Sequence, residues 1–252
     1  MKSDELIKIN IILLAAGFSR RFNGNKLLAD FNGKPLYMYA VDEVLSLYKT
    51  VNLRYAQIED EDSSLSAKTL KVSDSYKKKQ GNEKLKFRLN KIICVTQYEE
   101  IEKQLKDTKI NVIINKNANL GISSSIKAGI NYDTEAQGYM FMVCDQPFIK
   151  MRTLMEILEV FASGRKGIAA VRAKRNTIDM DTKSTDNQDI IGNPVIFSKR
   201  YIDELLSLEG DTGGKKVLQR HMEDLEAVLV DDNREFKDID TREVYIEFTR
   251  AH

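Results

Sequence analysis

The segment from Ile9 to Lys26, which reads INIILLAAGFSRRFNGNK, decides the fold. Its first part, Ile9 to Leu14, is an almost continuous Ile/Leu run of strand length. A strand that is apolar on both faces is typical of the interior of a parallel sheet. In open α/β sheets, ligands bind beyond the carboxyl ends of the strands. We therefore expect the loop that follows Leu14 to face a binding cleft.

The loop itself has the composition of an anion-binding segment. Its small residues allow backbone N–H groups to approach a phosphate or a base closely, and Arg20, Arg21 and Lys26 supply positive charge. The spacing is not that of a Walker A loop, and the GxGxxG pattern of dinucleotide-dependent oxidoreductases is absent. The sequence thus favours a phosphate-binding loop over an ordinary strand-to-helix connection with exposed basic side chains.

Strand-like and helix-like segments alternate through the rest of the chain. Further strands are predicted at Lys91–Val95, Asn111–Ile114, Tyr139–Val143, Gly167–Val171, Pro194–Phe197 and Ala227–Val230. Helices are predicted from Leu36 to Leu47 with Pro35 at the first position, and at Tyr98–Lys106, Ser123–Ile130, Met151–Phe161, Tyr201–Leu206, Lys216–His221 and after Thr241. Parallel strands need crossover connections, so this alternation predicts a doubly wound, mostly parallel Rossmann-like α/β sheet with helices on both faces. We expect a single domain over residues 1–252.

Two polar stretches interrupt the alternation. Residues 54–90 are rich in charge with scattered apolar residues, which favours an insertion over a core element; a basic patch for a partner is the alternative. A shorter insertion is predicted at 176–189. Asp179 and Asp181 there faintly suggest a calcium loop, but Ser184 stands where the turn needs Gly and Ile190 where the bidentate Glu belongs, so calcium is rejected.

Composition excludes several classes of protein. The 252 residues carry 39 Lys+Arg against 38 Asp+Glu, with 42% hydrophobic residues, which argues against disorder and against a duplex-binding protein. No apolar run approaches the roughly 18 residues of a membrane span. The two cysteines and two histidines give little basis for a disulfide scaffold, a zinc site or a Ser-His-Asp triad. We therefore expect a cytoplasmic enzyme or binding protein with reduced thiols.

The sequence resembles one enzyme family over nearly its whole length. LAAGFSRRFNGNK, from Leu14 to Lys26, is similar to the LAAGxSxRMGxxK signature of nucleotidyltransferases that activate a phosphorylated acceptor with an NTP. Further segments resemble the molybdenum cofactor nucleotidyltransferases, and the cytidylyl branch in particular: NANLGISSSIKAGI at 117–130, VCDQPF at 143–148, GNPVIFS at 192–198, GDTGGK at 210–215 and DIDT at 238–241.

The chain departs from this family pattern at several positions. Asn23 replaces the second Gly of the signature, Arg20 replaces a small residue and Phe22 replaces Met. The GHP of the family is Gly-Asn-Pro here, and Lys215 or Lys216 stands where Arg is frequent. These changes leave triphosphate binding in place and affect the acceptor side more.

The resemblance implies transfer of CMP from CTP to the phosphate of molybdopterin cofactor, with release of pyrophosphate. It assigns catalysis to Lys26, Arg21 and Asp145, with the two basic residues on the β- and γ-phosphates. The residues it assigns to nucleotide binding are Leu14, Ala15, Ala16, Gly17, Lys26, Gly121 and Ser125, the last near the cytosine. Helix capping by Ser123, Ser124 and Ser125 stays open as a further or alternative role.

The implied cofactor is Mg²⁺, which proteins usually hold with one or two carboxylates plus phosphate oxygens. Asp145 and Asp240 are the metal ligands by resemblance, with Asp238 in reserve. Capping of the helices that follow is the alternative for Asp145 and Asp240.

The resemblance places the acceptor on two late segments. The implied acceptor-binding residues are Gly192, Asn193, Pro194, Asp211 and Lys215, to which Arg172 and Lys174 could add charge. Implied partners are CTP or GTP, a phosphorylated pterin cofactor and possibly a molybdenum hydroxylase apoenzyme, with no nucleic acid or membrane. The alternatives are guanylyl transfer, transfer to a sugar or alditol phosphate, or a non-enzymatic cofactor-binding chaperone.

Overall fold

A computed structural model describes residues 6–19, 21–22, 24–61, 85–173 and 190–249. The strands are β1 (Ile7–Ala15), β2 (Asp30–Phe31), β3 (Lys34–Pro35), β4 (Phe87–Thr96), β5 (Asn111–Ile114), β6 (Gly138–Val143), β7 (Ile168–Ala173), β8 (Ile190–Ser198) and β9 (Leu225–Leu229). The α-helices are α1 (Tyr37–Glu61), α2 (Glu99–Leu105), α3 (Ile122–Tyr132), α4 (Met151–Ala162), α5 (Ile202–Leu206), α6 (Lys215–Arg220) and α7 (Arg242–Thr249).

Seven of these strands form one sheet in the order β5-β4-β1-β6-β8-β7-β9. β8 runs antiparallel to both of its neighbours, while the other pairs in this sheet are parallel. The chain moves outward from β1 to β4 and β5, then returns to β6 on the other side of β1. Such a reversal opens a crevice at the carboxyl ends of the strands beside it. The predicted doubly wound, mostly parallel α/β sheet is confirmed.

Each face of the sheet carries its own hydrophobic core. Alternate residues of β1 point to opposite faces, as the period of a strand requires. Ile9, Ile11 and Leu13 pack with residues of α1, α2 and α4 on one side. Ile12 packs with residues of α3, α5 and α6 on the other. Burial on both faces explains why β1 is nearly all Ile and Leu.

The expected helical start at Pro35 is wrong. Asn32 and Gly33 have φ of +51° and +95°, so the chain turns back and pairs Asp30 with Pro35 in the β2–β3 hairpin. Proline is tolerated there because a two-stranded ribbon leaves its nitrogen on an edge. α1 begins two residues later, at Tyr37.

The predicted insertion at 54–90 is shorter at both ends than expected. α1 continues to Glu61, and β4 begins at Phe87, which pairs with Ile7. Residues 62–84 of that insertion, and the insertion predicted at 176–189, lie outside the described residues. Among the described helices, none has the length and apolarity needed to cross a membrane.

Candidate functional site

The loop after β1 is held by the end of the neighbouring strand. Three successive residues at the carboxyl end of β4 donate side-chain hydrogen bonds to three successive carbonyl oxygens of the loop. The bonds run from Thr96 Oγ1 to Ala15 (2.9 Å), from Gln97 Nε2 to Ala16 (2.7 Å) and from Tyr98 Oη to Gly17 (2.6 Å). Within a peptide unit the N–H points opposite to the C=O. Fixing these carbonyls towards β4 therefore turns the following N–H groups to the other side of the loop.

Lys26 lies at the centre of the charged part of the site. Its Nζ donates to Asp145 Oδ2 and to Asp240 Oδ1, at 2.6 Å each. The Lys26 side chain is only 9% exposed. Burial alone would lower its pKa, but the charges and hydrogen bonds of the two carboxylates outweigh burial and raise the pKa. Lys26 is therefore a fixed cation at neutral pH.

A short 3-10 helix, Lys26–Leu28, fixes the backbone of this lysine. Asn25 Oδ1 accepts from Leu27 N–H as its cap, and Ser19 Oγ accepts from the Lys26 N–H at 3.2 Å. Ser19 itself has φ +51°, a left-handed conformation that is uncommon for a residue with a side chain. The loop thus bends back on itself so that residues 19 and 26 meet.

Asp240 also binds the second basic residue of the loop. Arg21 donates to Asp240 Oδ2 at 2.9 Å. Burial tends to raise the pKa of Asp240, but the hydrogen bond and charge of Lys26, with Arg21, lower it overall. Thr241 accepts from the first turn of α7 through its hydroxyl and its carbonyl, so Thr241 rather than Asp240 caps that helix. The carboxylate of Asp240 remains directed at the basic residues.

Asp145 follows β6 and has one carboxylate oxygen that the described residues leave without a hydrogen-bond partner. Its Oδ2 binds Lys26, whereas Oδ1 is buried and accepts no hydrogen bond from the described residues. The backbone carbonyl of Asp145 accepts from Ile239 N–H at 2.9 Å, which joins the DIDT segment to the end of β6. α4 begins only at Met151, with Lys150 as its N-cap residue, so Asp145 does not cap it.

Asp238 brings a third carboxylate to this region. Gln146 Nε2 donates to its Oδ1 at 2.9 Å. Although Asp238 keeps an exposed side, the surrounding protein removes enough water from the carboxyl group to raise its pKa to about 6, assisted by the negative charge of Asp145.

The opposite side of the site is a close contact between two loops. Gly121, with φ +92°, precedes α3, and a Cβ placed on it would lie 2.3 Å from the carbonyl carbon and oxygen of Gly210. The Gly210 carbonyl accepts from Ser123 N–H at 3.2 Å. Only glycine allows this approach, which brings Asp211 to the edge of the site.

The serines that follow Gly121 do not cap α3 through their side chains. Gly121 is the N-cap residue, and no side-chain capping bond is formed there. Ser124 Oγ instead donates to the Gly121 carbonyl at 2.8 Å, and Ser125 is buried with its Oγ accepting from Asn115 Nδ2 at 3.0 Å. The capping interpretation of these serines is wrong because Gly121 occupies the N-cap position, so all three serines lie inside the first turn of the helix.

These loops enclose a cavity of about 330 Å³. It lies at the carboxyl ends of β1 and β6, at the crevice that the strand order predicts. The residues predicted for the site that line it are Leu14, Ala16, Gly17, Arg21, Lys26, Gly121, Ser125, Asp145, Asp211 and Asp240. Uncharged lining is added by Phe18, Ser19, Leu27, Ala118, Ile122 and Val143.

Several predicted site residues lie elsewhere. Ala15 is fully buried at the end of β1 and contributes only backbone. Gly192, Asn193 and Pro194 belong to β8 and do not line the cavity, and the Asn193–Pro194 peptide is cis. Lys215 is the exposed first residue of α6. Of the two additional cations, Arg172 lies on β7, and Lys174 lies outside the described residues.

The sequence did not reveal three of the positioning side chains, Gln97, Tyr98 and Asn115. Each follows a strand at the same edge of the sheet as Leu14, which was the available signal.

The C-terminal helix also contributes to the site. Tyr245 of α7 packs edge-on against Phe22, with ring centroids 5.2 Å apart. This contact supports the loop between Arg21 and Lys26 from behind.

The carboxylates fit a divalent cation that is shared with a substrate. Asp145 Oδ1 is a buried oxygen that has no hydrogen-bond partner among the described residues, and oxygen is the ligand that Mg²⁺ and Mn²⁺ prefer. In the part of the chain that the structure describes, no group of three or more His, Cys, Asp or Glu side chains forms a complete metal site. Asp145 and Asp240 would therefore supply part of the ligand set and the phosphates of a nucleotide the rest.

Solved structures with similar folds include nucleotidyltransferases. A nucleotidyl transferase from Methanothermobacter thermautotroptrophicus has a TM-score of 0.63 at 19% identity, covering 96% of each chain. Rv0371c from Mycobacterium tuberculosis H37Rv, in complex with manganese, has a TM-score of 0.60 at 16% identity, covering 98% of this chain and 100% of that chain. CMP:2-keto-3-deoxy-manno-octonic acid synthetase, complexed with CTP, has a TM-score of 0.62 at 12% identity, covering 96% and 97%. At these identities the likeness establishes the fold.

Sequence comparison establishes the family. No curated protein matches the chain. The family model of the MobA-like NTP transferase domain matches residues 11–77 and 82–225, which include the loop after β1, Gly121 and Asp145. The chain with the Lys26–Asp145–Asp240 cluster at its crevice belongs to the MobA-like NTP transferase domain family.

Proposed function

We propose that this protein transfers CMP from CTP to the phosphate of a molybdopterin cofactor and releases pyrophosphate. The observation that carries the proposal is the position of the Lys26 ammonium, 2.6 Å from both Asp145 and Asp240, in a cavity bordered by the loop after β1. The transfer forms a bond between an acceptor phosphate oxygen and the α-phosphorus of CTP. It breaks the bond from that phosphorus to the bridging oxygen of the leaving pyrophosphate.

The nucleotide would lie between the two loops of the cavity. The N–H groups that follow the fixed carbonyls of residues 15–17 would bind phosphate oxygens, as consecutive backbone N–H groups do in other anion sites. Gly121 and Ser125 would face the base, where Ala118 and Ile122 supply uncharged lining. In this arrangement the base would lie near α3 and the triphosphate near β1.

Lys26 and Arg21 would stabilise the charge that develops on the leaving pyrophosphate. An ammonium has three N–H donors, and those of Lys26 make two bonds to described residues, both to carboxylates, so the third would bind a phosphate oxygen. Fixed donors of this kind act mainly on the transition state and need no reorganisation during the reaction. Held at both sides, Lys26 also keeps its position while the substrates change.

Asp145 and Asp240 would hold Mg²⁺ through the free oxygen of Asp145 and the exposed side of the Asp240 carboxylate. Bound there, the ion would neutralise phosphate charge and orient the nucleotide. The chain's own part in this is to hold the two carboxylates together, which the bond between Ile239 N–H and the Asp145 carbonyl does.

The acceptor part of the proposal rests on the family resemblance. Asp211 lies at the cavity, whereas Gly192, Asn193 and Pro194 on β8 and Lys215 on α6 would have to meet a ligand that extends beyond it. The proposal includes delivery of the product to a molybdenum hydroxylase apoenzyme. It also includes a cytoplasmic location, which suits the two unpaired, buried cysteines.

A panel of nucleotides and acceptors tests the proposal. Purified protein receives Mg²⁺, one of CTP, GTP, ATP or UTP, and molybdopterin cofactor, a sugar phosphate or an alditol phosphate, and pyrophosphate release is measured. We expect release with CTP and the pterin cofactor. Preference for GTP would indicate a guanylyltransferase. Preference for a sugar phosphate or an alditol phosphate would indicate that the acceptor is of that class and not a pterin cofactor. Binding of the pterin without release with any NTP would support the cofactor-binding chaperone.

Two variants connect the activity to the cluster. Asp145→Ala and Lys26→Met should each lower the rate by about 100-fold or more, since each removes a group that acts on the phosphates. Asp203→Ala and Lys103→Met are the matched controls, because both side chains are exposed on helices outside the cavity lining. Equal losses in the variants and their controls would contradict the assignment.

A further inference from the structure

Asn115 occupies a buried position directly behind the α3 side of the cavity. It is the first residue after β5 and is 6% exposed. Its backbone N–H donates to the Thr96 carbonyl at 2.6 Å, which fixes the main chain of Asn115 to the end of β4. The Asn115 side chain then reaches forward to α3, where it meets Ser124 and Ser125.

The hydrogen bonds around this side chain determine which way its amide points. Asn115 Oδ1 accepts from the Asn117 backbone N–H at 2.9 Å. A backbone N–H can only donate, so the oxygen must face Asn117 and the NH₂ group must face the serines. Both of its N–H donors are used, one to Ser124 Oγ at 2.9 Å and one to Ser125 Oγ at 3.0 Å.

Because Asn115 donates to both serine hydroxyls, each hydroxyl accepts from it and has its own proton left to donate. The two serines differ in what accepts that proton. Ser124 accepts from Asn115 and donates to the Gly121 carbonyl at 2.8 Å, so its proton is already bound. Ser125 accepts from Asn115 in the same way, but among the described residues none accepts its proton. Because Ser125 lines the cavity, its hydroxyl proton is available to a ligand there.

We infer that Asn115 is a positioning residue that makes Ser125 a hydrogen-bond donor to an acceptor atom of the nucleobase. Cytosine offers such atoms at O2 and N3. The base is favoured over the triphosphate because the segment of Ser125 contributes uncharged lining, from Ala118 to Ile122, while Arg21 and Lys26 lie on the loop after β1. The inference rests on the proposed function, since it assigns a determinant of CTP binding.

Asn115→Asp reverses the polarity with little change in shape. One carboxylate oxygen can still accept from the Asn117 N–H, but the other can no longer donate to serine. The Ser125 hydroxyl would then turn its proton towards Asp and away from the ligand. One neutral hydrogen bond is worth enough to weaken CTP binding by roughly three- to tenfold.

A double-mutant cycle tests the inference. The dissociation constant of CTP with Mg²⁺, in the absence of acceptor, is measured for wild type, Asn115→Asp, Ser125→Ala and the double variant. We expect each single variant to lose a similar factor and the double variant to lose no more than either. The matched control is the Ser124→Ala background. There Asn115→Asp should still weaken CTP binding by its full factor, because the Ser124 proton is bound to the Gly121 carbonyl and not to the ligand.

A second ligand separates the base from the phosphates. Inorganic tripolyphosphate, which lacks a base, should bind wild type and Asn115→Asp equally. If thermal melting shows that Asn115→Asp does not fold, Asn115→Ala takes its place in the cycle. We expect Asn115→Ala to lose less CTP affinity, and this loss should also disappear in the Ser125→Ala background.

Three outcomes would overturn the inference. The first is an equal loss of CTP affinity from Asn115→Asp with and without the Ser125 hydroxyl, as a merely structural role would give. The second is a parallel loss for tripolyphosphate. The third is no CTP binding by wild type, which would overturn the proposed cytidylyl function as well, whereas the first two outcomes would leave that function standing.

Discussion

Gly121→Ala tests whether the cavity depends on the contact between its two loops. A Cβ at Gly121 would lie 2.3 Å from the Gly210 carbonyl carbon and oxygen and 2.6 Å from the Asp211 nitrogen. Carbon atoms in contact normally lie about 3.5–4.0 Å apart, so the two backbones would have to separate by roughly 1 Å. Neither of the two groups is a flexible side chain that could move aside.

The cost of this substitution has two parts. Gly121 has φ +92° and ψ −179°, a region that is essentially restricted to glycine and costs other residues about 1–3 kcal/mol. Overpacking adds about 1–3 kcal/mol. The free energy of unfolding should therefore fall by about 2–6 kcal/mol, and because Asp211 would move with Gly210, the affinity for CTP should fall as well.

Denaturant unfolding and CTP titration measure the two effects. Gly213→Ala is the matched control, because its new Cβ would lie 3.8 Å from Ile122 Cγ2, which is an ordinary van der Waals contact. We expect the control to stay within about 1 kcal/mol of wild type. A Gly121→Ala protein that loses less than about 1 kcal/mol and binds CTP normally would refute the reasoning.

Two further predictions concern the loop after β1 and the carboxylates. Tyr98→Phe removes the 2.6 Å hydrogen bond to the Gly17 carbonyl and should raise the KM for CTP a few-fold with little change in kcat. Tyr132→Phe is the control: it loses a 2.8 Å hydrogen bond to Asn111 outside the cavity and should leave KM unchanged. Desolvation and the charge of Asp145 raise the pKa of Asp238 to about 6. The group therefore contributes to the free energy of unfolding below its unfolded pKa of about 3.9, and this contribution is lost as the pH rises through 6. In metal-free protein, Asp238→Asn should therefore remove that loss, as urea midpoints between about pH 4 and 7 would show; an identical pH dependence in both proteins would contradict it.

Strand patterns predicted much of the site because they locate the carboxyl ends of the strands. Leu14 and Asp145 end or follow runs of apolar residues, so sequence alone placed both at one edge of the sheet. The bond from Lys26 to both carboxylates depends on how residues 119 and 214 positions apart in sequence meet. No local pattern encodes that meeting.

Other features were hidden by polar residues. The end of α1, from Arg54 to Glu61, was predicted as part of an insertion because the segment is rich in charge. Tyr55 nevertheless continues the helical spacing of Leu47 and Val51 and packs against the core. Asn115 was overlooked for a different reason: a lone Asn after a strand is usually a turn residue. Its role depends on the register of β5 with β4 and on the first turn of α3.

The charges of the site explain why the proposed reaction should depend on a divalent cation. The two positive charges of Lys26 and Arg21 are matched by the two negative charges of Asp145 and Asp240. Lys26 pairs with both carboxylates, and Arg21 pairs with Asp240. The cluster as it stands therefore has no excess positive charge for a triphosphate, and Asp238 adds negative charge above its pKa of about 6. A divalent cation beside these carboxylates would supply the excess positive charge that favours a triphosphate, in addition to the backbone N–H groups of the loop after β1. Asp145 Oδ1 is buried and has no hydrogen-bond partner in the part of the chain that the structure describes, so it is the atom at which that cation would be held.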